Sequence, residues 1–186
     1  MIAEEIQKRI YTVDEYLEFE KNSEVKHEFV DGILLEMPGE SKKANIIAGS
    51  IYMALRLGLK GKPFEVYNHD VKLRTVPGRK YRYPDIMVVP TDDVDDTHVV
   101  HRAIVTVEVT SENSSGVDHD EKFHEYIGIP SIECYLIVSQ AELLVEVYQR
   151  TGTKWEYAFY TDLTDSFDVR ALGITMQVGD VYEGVF

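Results

Sequence analysis

The sequence predicts an α/β fold, a mixed central β-sheet flanked by helices, and three observations lead there. Segments with helical periodicity are interspersed among segments with strand character. Residues 104–109, Ile-Val-Thr-Val-Glu-Val, are β-branched almost throughout, as expected of a strand at the centre of a covered sheet. An apolar content of 44% in 186 residues, with 12 Tyr and 7 Phe, supplies enough surface for a sizeable core.

The elements follow in order. Thr12-Val13-Asp14-Glu15 reads as a capping box that opens a short helix to about residue 20, because its hydroxyl and carboxylate satisfy free backbone N–H groups. Residues 27–37 read as a hairpin around Asp31-Gly32, a pair suited to the positive backbone angles of a type I′ turn. Ile47, Ile51, Leu55 and Leu59, spaced by four, line one face of a helix over 41–59, with Gly61 as its stop. Strands are expected at 65–68, 71–75, 84–89 and 104–109. A second helix over 118–127 has Asp118 as N-cap, Glu121 three residues on and Gly128 at its end. Strands return at 132–138, 143–149 and 155–160, followed by a looser β segment. Trp155, Tyr157 and Phe159 alternate onto one face, which predicts core packing, while an exposed sheet edge there would support a homodimer. With no repeat and no Ser/Gly/Pro-rich linker, residues 1–186 are expected to form one domain, its core at about 11–150 and its C-terminal strands at 151–186.

Charge and cysteine content exclude several classes. A formal charge of −14 repels phosphate unless metal ions or a local basic groove intervene. Cys134 stands alone, so an intrachain disulfide and a Cys-based zinc site are both excluded. No apolar stretch has the length of a signal peptide core or a membrane span, and a reducing cytoplasm is the expected location. The six histidines lack H-E-x-x-H spacing and are expected to be structural or solvated. Asp92, Asp93, Asp95 and Asp96 read as a solvated acidic loop, and no phosphate-binding glycine motif occurs.

Two charged residues sit badly with their surroundings: Asp85, opening Asp-Ile-Met-Val-Val, and Glu108, near the end of the β-branched strand. A buried carboxylate costs several kcal/mol unless a partner or metal ion compensates. Two brought together at strand ends form a hard-oxygen site suited to Mg²⁺ or Mn²⁺. Asp118, Lys122 and Tyr126 share one helical face, either as an ordinary ion pair beside a core tyrosine or with Lys122 reaching those carboxylates. Lys72, Arg74, Arg79, Lys80 and Arg82 precede Asp85 and could line a phosphate track or a solvated hairpin edge.

This ordered set resembles the PD-(D/E)XK nuclease superfamily, and within it the Uma-type family of restriction endonucleases. The resemblance rests on His27-Glu28-Phe29-Val30-Asp31-Gly32, Tyr83-Pro84-Asp85-Ile86-Met87-Val88-Val89, Val107-Glu108-Val109-Thr110-Ser111, Asp118-x-x-x-Lys122-x-x-x-Tyr126 and Glu133-Cys134-Tyr135-Leu136-Ile137. Thr110 occupies the usual lysine position, and Lys122 matches the position to which the Uma-type pattern moves it. The resemblance implies a restriction-endonuclease-like fold and a Mg²⁺- or Mn²⁺-dependent endonuclease acting on nucleic acid, in all expectation DNA. It further implies that Asp85, Glu108 and the Val109 carbonyl are metal ligands and that Glu28 is a further or water-mediated one. Lys122 would then orient the attacking water or stabilise developing charge, with Thr110, Asp118 and Tyr126 behind these groups. The same residues would serve a hydrolase of another phosphoester, and a catalytically silent binding or assembly module remains the reading from another class.

Overall fold

Helix α1 (Val13–Asn22) begins at the capping box: the Thr12 N–H donates to the Glu15 carboxylate at 2.9 Å, and the Thr12 hydroxyl accepts the Glu15 N–H at 3.2 Å. The hairpin β1 (His27–Val30) and β2 (Ile33–Glu36) turns through Asp31 and Gly32, at φ 49° and 93°. Those positive angles match the right-handed twist of the flanking strands. Helix α2 (Lys42–Gly58) is capped by Ser41, whose hydroxyl accepts the Ala44 N–H, and buries Ile47, Ile51 and Leu55 along one face. The computed structural model describes residues 9–93, 96–111 and 117–186, with side chains from 120 onward in the last segment.

The central sheet contains β3 (Phe64–Asn68), β6 (Ile86–Pro90), β8 (Val105–Thr110), β9 (Cys134–Ser139), β10 (Val145–Thr151) and β11 (Lys154–Tyr160), in the order β11-β10-β9-β8-β6-β3. Only β8 and β9 run parallel. A parallel pair needs a crossover, and α3 (Val117–Gly128) lies in it. Pleating sorts the side chains: Ile86, Val88, Val105 and Val107 join the α2 face, whereas Met87 and Val89 join Tyr126 and Ile129 of the α3 side. The sheet is mixed and covered by a helix on each face, as the sequence predicts.

A second sheet, absent from the sequence-based expectation, joins the hairpin to β4 (Lys72–Val76), β5 (Lys80–Arg82) and β7 (Val99–Val100) in the order β2-β1-β5-β4-β7. It closes over Tyr16, Phe29, Leu34, Tyr81 and Val99. The pair β12 (Ser166–Val169) and β13 (Ile174–Gln177), with the short α4 (Val178–Val181), packs Phe167, Met176 and Val181 onto the α2 face.

One packing expectation is corrected. Tyr157 and Phe159 are 53% and 59% exposed. They lie on β11, at the sheet edge, where they extend a row of rings from Tyr148 through Tyr157 to Phe159. Trp155 is partly buried and carries Arg150 over its ring at 4.5 Å.

Candidate active site

Strand register gathers the site. The β6–β8 ladder pairs Ile86 with Val107, and the β3–β6 ladder pairs Asn68 with Ile86. One further step along both ladders sets Asp85 between His69 on one side and Glu108 on the other. The His69 N–H does donate to the Asp85 carbonyl, at 3.0 Å. On the other flank the Val109 N–H donates to Asp85 Oδ2 at 2.6 Å, which fixes the carboxylate and leaves Oδ1 turned toward His69 Nδ1, 3.7 Å away.

Glu108 alternates with the core residues Val105 and Val107 and therefore points to the α3 face. There the Tyr126 hydroxyl donates to its Oε1 at 2.6 Å, and Lys122 Nζ lies 3.9 Å from its Oε2. Lys122 is 3.0 Å from Glu28 Oε1, so an amine delivered by α3 bridges a carboxylate of β1 and a carboxylate of β8. The helical spacing of Lys122 and Tyr126, one turn apart, brings both to the same strand. Glu28, Glu108 and Lys122 line a cleft of about 550 Å³ with Asp85, Val109, Thr110 and Tyr135. The side chain of Asp118 lies outside the described residues, as does Asp95 of the acidic loop.

Burial pushes the Glu108 carboxyl up to about 8. The Lys122 amine and the Tyr126 hydrogen bond oppose that rise, while the charges of Asp85 and Glu28 add to it.

Behind Glu28 the balance is reversed. Arg82, with 1% of its side chain exposed, donates to Glu28 at 2.7 Å and to Glu125 at 2.7 and 3.1 Å. Lys80 and the Thr75 hydroxyl each reach Glu125 at 2.8 Å. Burial raises the Glu125 carboxyl, but these donors outweigh it and hold the group below the usual carboxylate range.

The basic segment before Asp85 is therefore not a continuous phosphate track. Arg82 is an interior ion-pair residue. Lys72 is buried over the Tyr83 ring at 5.4 Å, with its ammonium driven down by desolvation. Arg79 is exposed and bound to Asp31 at 2.6 Å, whereas Arg74 and Lys80 line a separate groove of about 820 Å³ against α3.

Sequence reasoning missed Arg82 and Glu125 as supports of Glu28, and it missed Glu40 and His69. Among the described residues, the one trio of metal-binding type whose ligand atoms all lie within 4.8 Å of one another is Glu40, His69 and Asp85. His69 Nδ1 is 2.8 Å from Glu40 Oε1. Both share a cavity of about 380 Å³ with Asp85, next to the cleft. No local signal marks them, because His69 meets Asp85 only through the β3–β6 register. His27, by contrast, is structural as expected, buried against Glu20 at 3.2 Å.

The family model Uma2, described as "Putative restriction endonuclease", matches residues 13–179. An uncharacterized protein of Synechocystis sp. is 28% identical over 175 residues, covering 92% of this chain and 91% of that protein. Another from the same organism is 29% identical over 150 residues, covering 78% of this chain and 84% of that one. A crystal structure described as a "putative nuclease belonging to DUF820" from Anabaena variabilis superposes with a TM-score of 0.77 at 15% identity, over 94% of this chain and 99% of the other. At that identity the likeness is one of fold.

Proposed function

The chain belongs to the Uma2 family, described as "Putative restriction endonuclease", and from that premise we propose that it is a metal-dependent endonuclease that hydrolyses DNA phosphodiester bonds. The observation that carries this reading is the cleft in which Lys122 bridges Glu28 and Glu108 beside Asp85. The donor types suit Mg²⁺ or Mn²⁺: Asp85, Glu108 and Glu28 line one cleft with Val109, all offering oxygen, and burial raises the Glu108 carboxyl, which a bound ion would ionise. Asp85, Glu108 and the Val109 carbonyl would hold the ion, with Glu28 as a further or water-mediated ligand. Once bound, such an ion supplies a water of lowered pKa and neutralises charge on the phosphoryl oxygens.

The chain's own residues do the rest. The Val109 N–H and the Tyr126 hydroxyl fix the Asp85 and Glu108 carboxylates. Lys122 is placed to orient a water or meet charge developing on a phosphate oxygen. Arg82 holds Glu28 from behind, so that the Glu28 oxygen facing Lys122 keeps its direction. Among the described residues no helix is long and apolar enough to cross a membrane, and a cytoplasmic enzyme agrees with this. The exposed edge strand β11, with Tyr157 and Phe159, is where a second copy would pair, which sedimentation would test.

The experiment is cleavage of single- and double-stranded DNA, RNA and a simple phosphodiester with Mg²⁺ or Mn²⁺, in wild type, Asp85→Asn and Glu108→Gln of verified fold. DNA cleavage lost in both variants is the expected result. Cleavage of the simple ester alone points to another phosphoesterase. Metal binding without any cleavage points to a silent binding module, a reading favoured only by the closeness of the Lys122 to Glu28 pair.

A further inference from the structure

We infer that Glu40, His69 and Asp85 form a second cation centre, selective for Mn²⁺ or a similar transition ion over Mg²⁺, with Asp85 shared between it and the Glu108 side of the cleft. It rests on the proposed function only through that shared carboxylate.

Two observations lead to it. The ligand atoms of all three residues lie within 4.8 Å of one another, a spacing one ion can span. Finally, His69 Nδ1 is buried and makes no hydrogen bond, although it faces Glu40 Oε1 at 2.8 Å and Asp85 Oδ1 at 3.7 Å. An imidazolium serving merely as a counter-ion would point an N–H along one of those lines. A ring nitrogen lying near two carboxylate oxygens without such alignment is arranged as a donor toward a common point.

Asp85 has one oxygen for each side. Oδ2 takes the Val109 N–H on the Glu108 flank, and Oδ1 faces His69. The ligand chemistry also differs between the flanks: Glu28, Glu108 and a carbonyl offer oxygen only, which suits Mg²⁺ or Mn²⁺ alike, whereas an imidazole nitrogen beside two carboxylates is a ligand set that a transition ion such as Mn²⁺ or Zn²⁺ accepts more readily than Mg²⁺ does. Glu40 is supplied by the segment between β2 and α2, so this centre would also tie that segment to the sheet.

The test is titration of the full chain with Mn²⁺ and, separately, Mg²⁺ by calorimetry, with electron paramagnetic resonance of bound Mn²⁺ reading nitrogen coupling. The variants are His69→Asn, Glu40→Gln and Glu108→Gln. Asn is chosen because His69 sits at φ 51°, where Asn is tolerated, and Glu40→Gln repeats the test away from that backbone. The expected result is two Mn²⁺ but one Mg²⁺ per chain, with nitrogen coupling in the wild type. His69→Asn and Glu40→Gln would each lose one Mn²⁺, and His69→Asn the nitrogen coupling, while Mg²⁺ binding stays. Glu108→Gln would lose the Mg²⁺ and keep the nitrogen-coupled Mn²⁺. The inference is overturned if wild-type Mn²⁺ shows no nitrogen coupling, or if His69→Asn and Glu40→Gln leave the stoichiometry unchanged. Loss of all binding in Glu108→Gln alone would then still support the oxygen site. Mn²⁺ bound with nitrogen coupling and unaffected by Glu108→Gln, with no Mg²⁺ in any variant, would instead uphold this centre and remove the proposed catalytic one.

Discussion

Arg82 and Glu108 are both charged residues of the interior, both facing α3 and the Glu28 carboxylate, yet their surroundings settle charge in opposite ways. Around Arg82 one guanidinium, Lys80 and the Thr75 hydroxyl serve Glu28 and Glu125, and Glu125 is held ionised. Around Glu108, among the described residues, the Lys122 amine lies between the Glu28 and Glu108 carboxylates, and burial, with the Asp85 and Glu28 charges adding to it, raises the Glu108 carboxyl to about 8. A buried charge matched in place is structural. A carboxyl raised by burial beside other carboxylates is a group that a bound ion would ionise, and such perturbation is one mark of a functional-site candidate.

The largest effect should come from breaking the matched cluster. Arg82→Met leaves Glu28 and Glu125 facing each other without their shared cation, and removing one partner of a buried pair costs about 3–5 kcal/mol. Urea unfolding should show that loss, and replacing Glu28 and Glu125 by Gln in the same chain should recover part of it. No recovery would mean that Arg82 acts by packing alone.

The contrast between the clusters explains what the sequence disclosed. Glu108 stood out as a candidate because a carboxylate between apolar β-branched residues has few innocuous explanations, whereas Asp85, an Asp after Pro, reads by itself as an ordinary strand start and became a candidate beside Glu108. Helical spacing put Lys122 and Tyr126 on one face but left an ordinary ion pair beside a core tyrosine as the plainer reading, and the resemblance is what made Lys122 and Glu28 site candidates. The roles of Arg82, Glu125, Glu40 and His69 were not legible, since each acquires its partners across strands distant in the chain. The second sheet was hidden for a related reason: β5 and β7 are three and two residues long, too short to show a period. At Tyr157 and Phe159 alternation correctly separates two faces of β11 but carries no information about which one another layer covers.

The next effect concerns the unmatched cluster. Glu108 has a folded pKa above its unfolded value, so between about pH 4.5 and 8 the folded chain holds a proton that the unfolded chain has released. The stability this group contributes is therefore lost as pH rises through that window, with a slope of up to about 1.4 kcal/mol per pH unit. Glu108→Gln should flatten that component of a thermal melt series. Saturating Mn²⁺ should reverse the trend in the wild type, because protons compete with the ion for the same oxygens. A wild-type series unchanged by the substitution would contradict the raised carboxyl.

Tyr126→Phe should give a smaller effect, confined to one side of the titration. Its hydroxyl donates to Glu108 at 2.6 Å and favours the ionised form. Without it the carboxyl rises further, and a hydrogen bond to a charged group is worth about 1.5–3 kcal/mol. The stability penalty should be larger at pH 9 than at pH 6, and the pH midpoint for Mn²⁺ binding should move upward.

Thr75→Val makes the matching change in the paired cluster and should have the least effect. Glu125 loses one hydroxyl at 2.8 Å but keeps Arg82 and Lys80, so no acceptor is left bare, and a cost of about 0.5–1.5 kcal/mol is expected. The sign with pH is opposite to that at Tyr126. Because the folded pKa of Glu125 is depressed, its contribution is present above the unfolded value and disappears as pH falls through the folded one. The penalty in Thr75→Val should accordingly be full at neutral pH and fade on acidification, whereas that in Tyr126→Phe grows on the alkaline side. Mn²⁺ affinity should move only in Tyr126→Phe. Were Thr75→Val to weaken Mn²⁺ binding as strongly, the two clusters would be one electrostatic unit, and Arg82 would belong to the metal site as much as to the core.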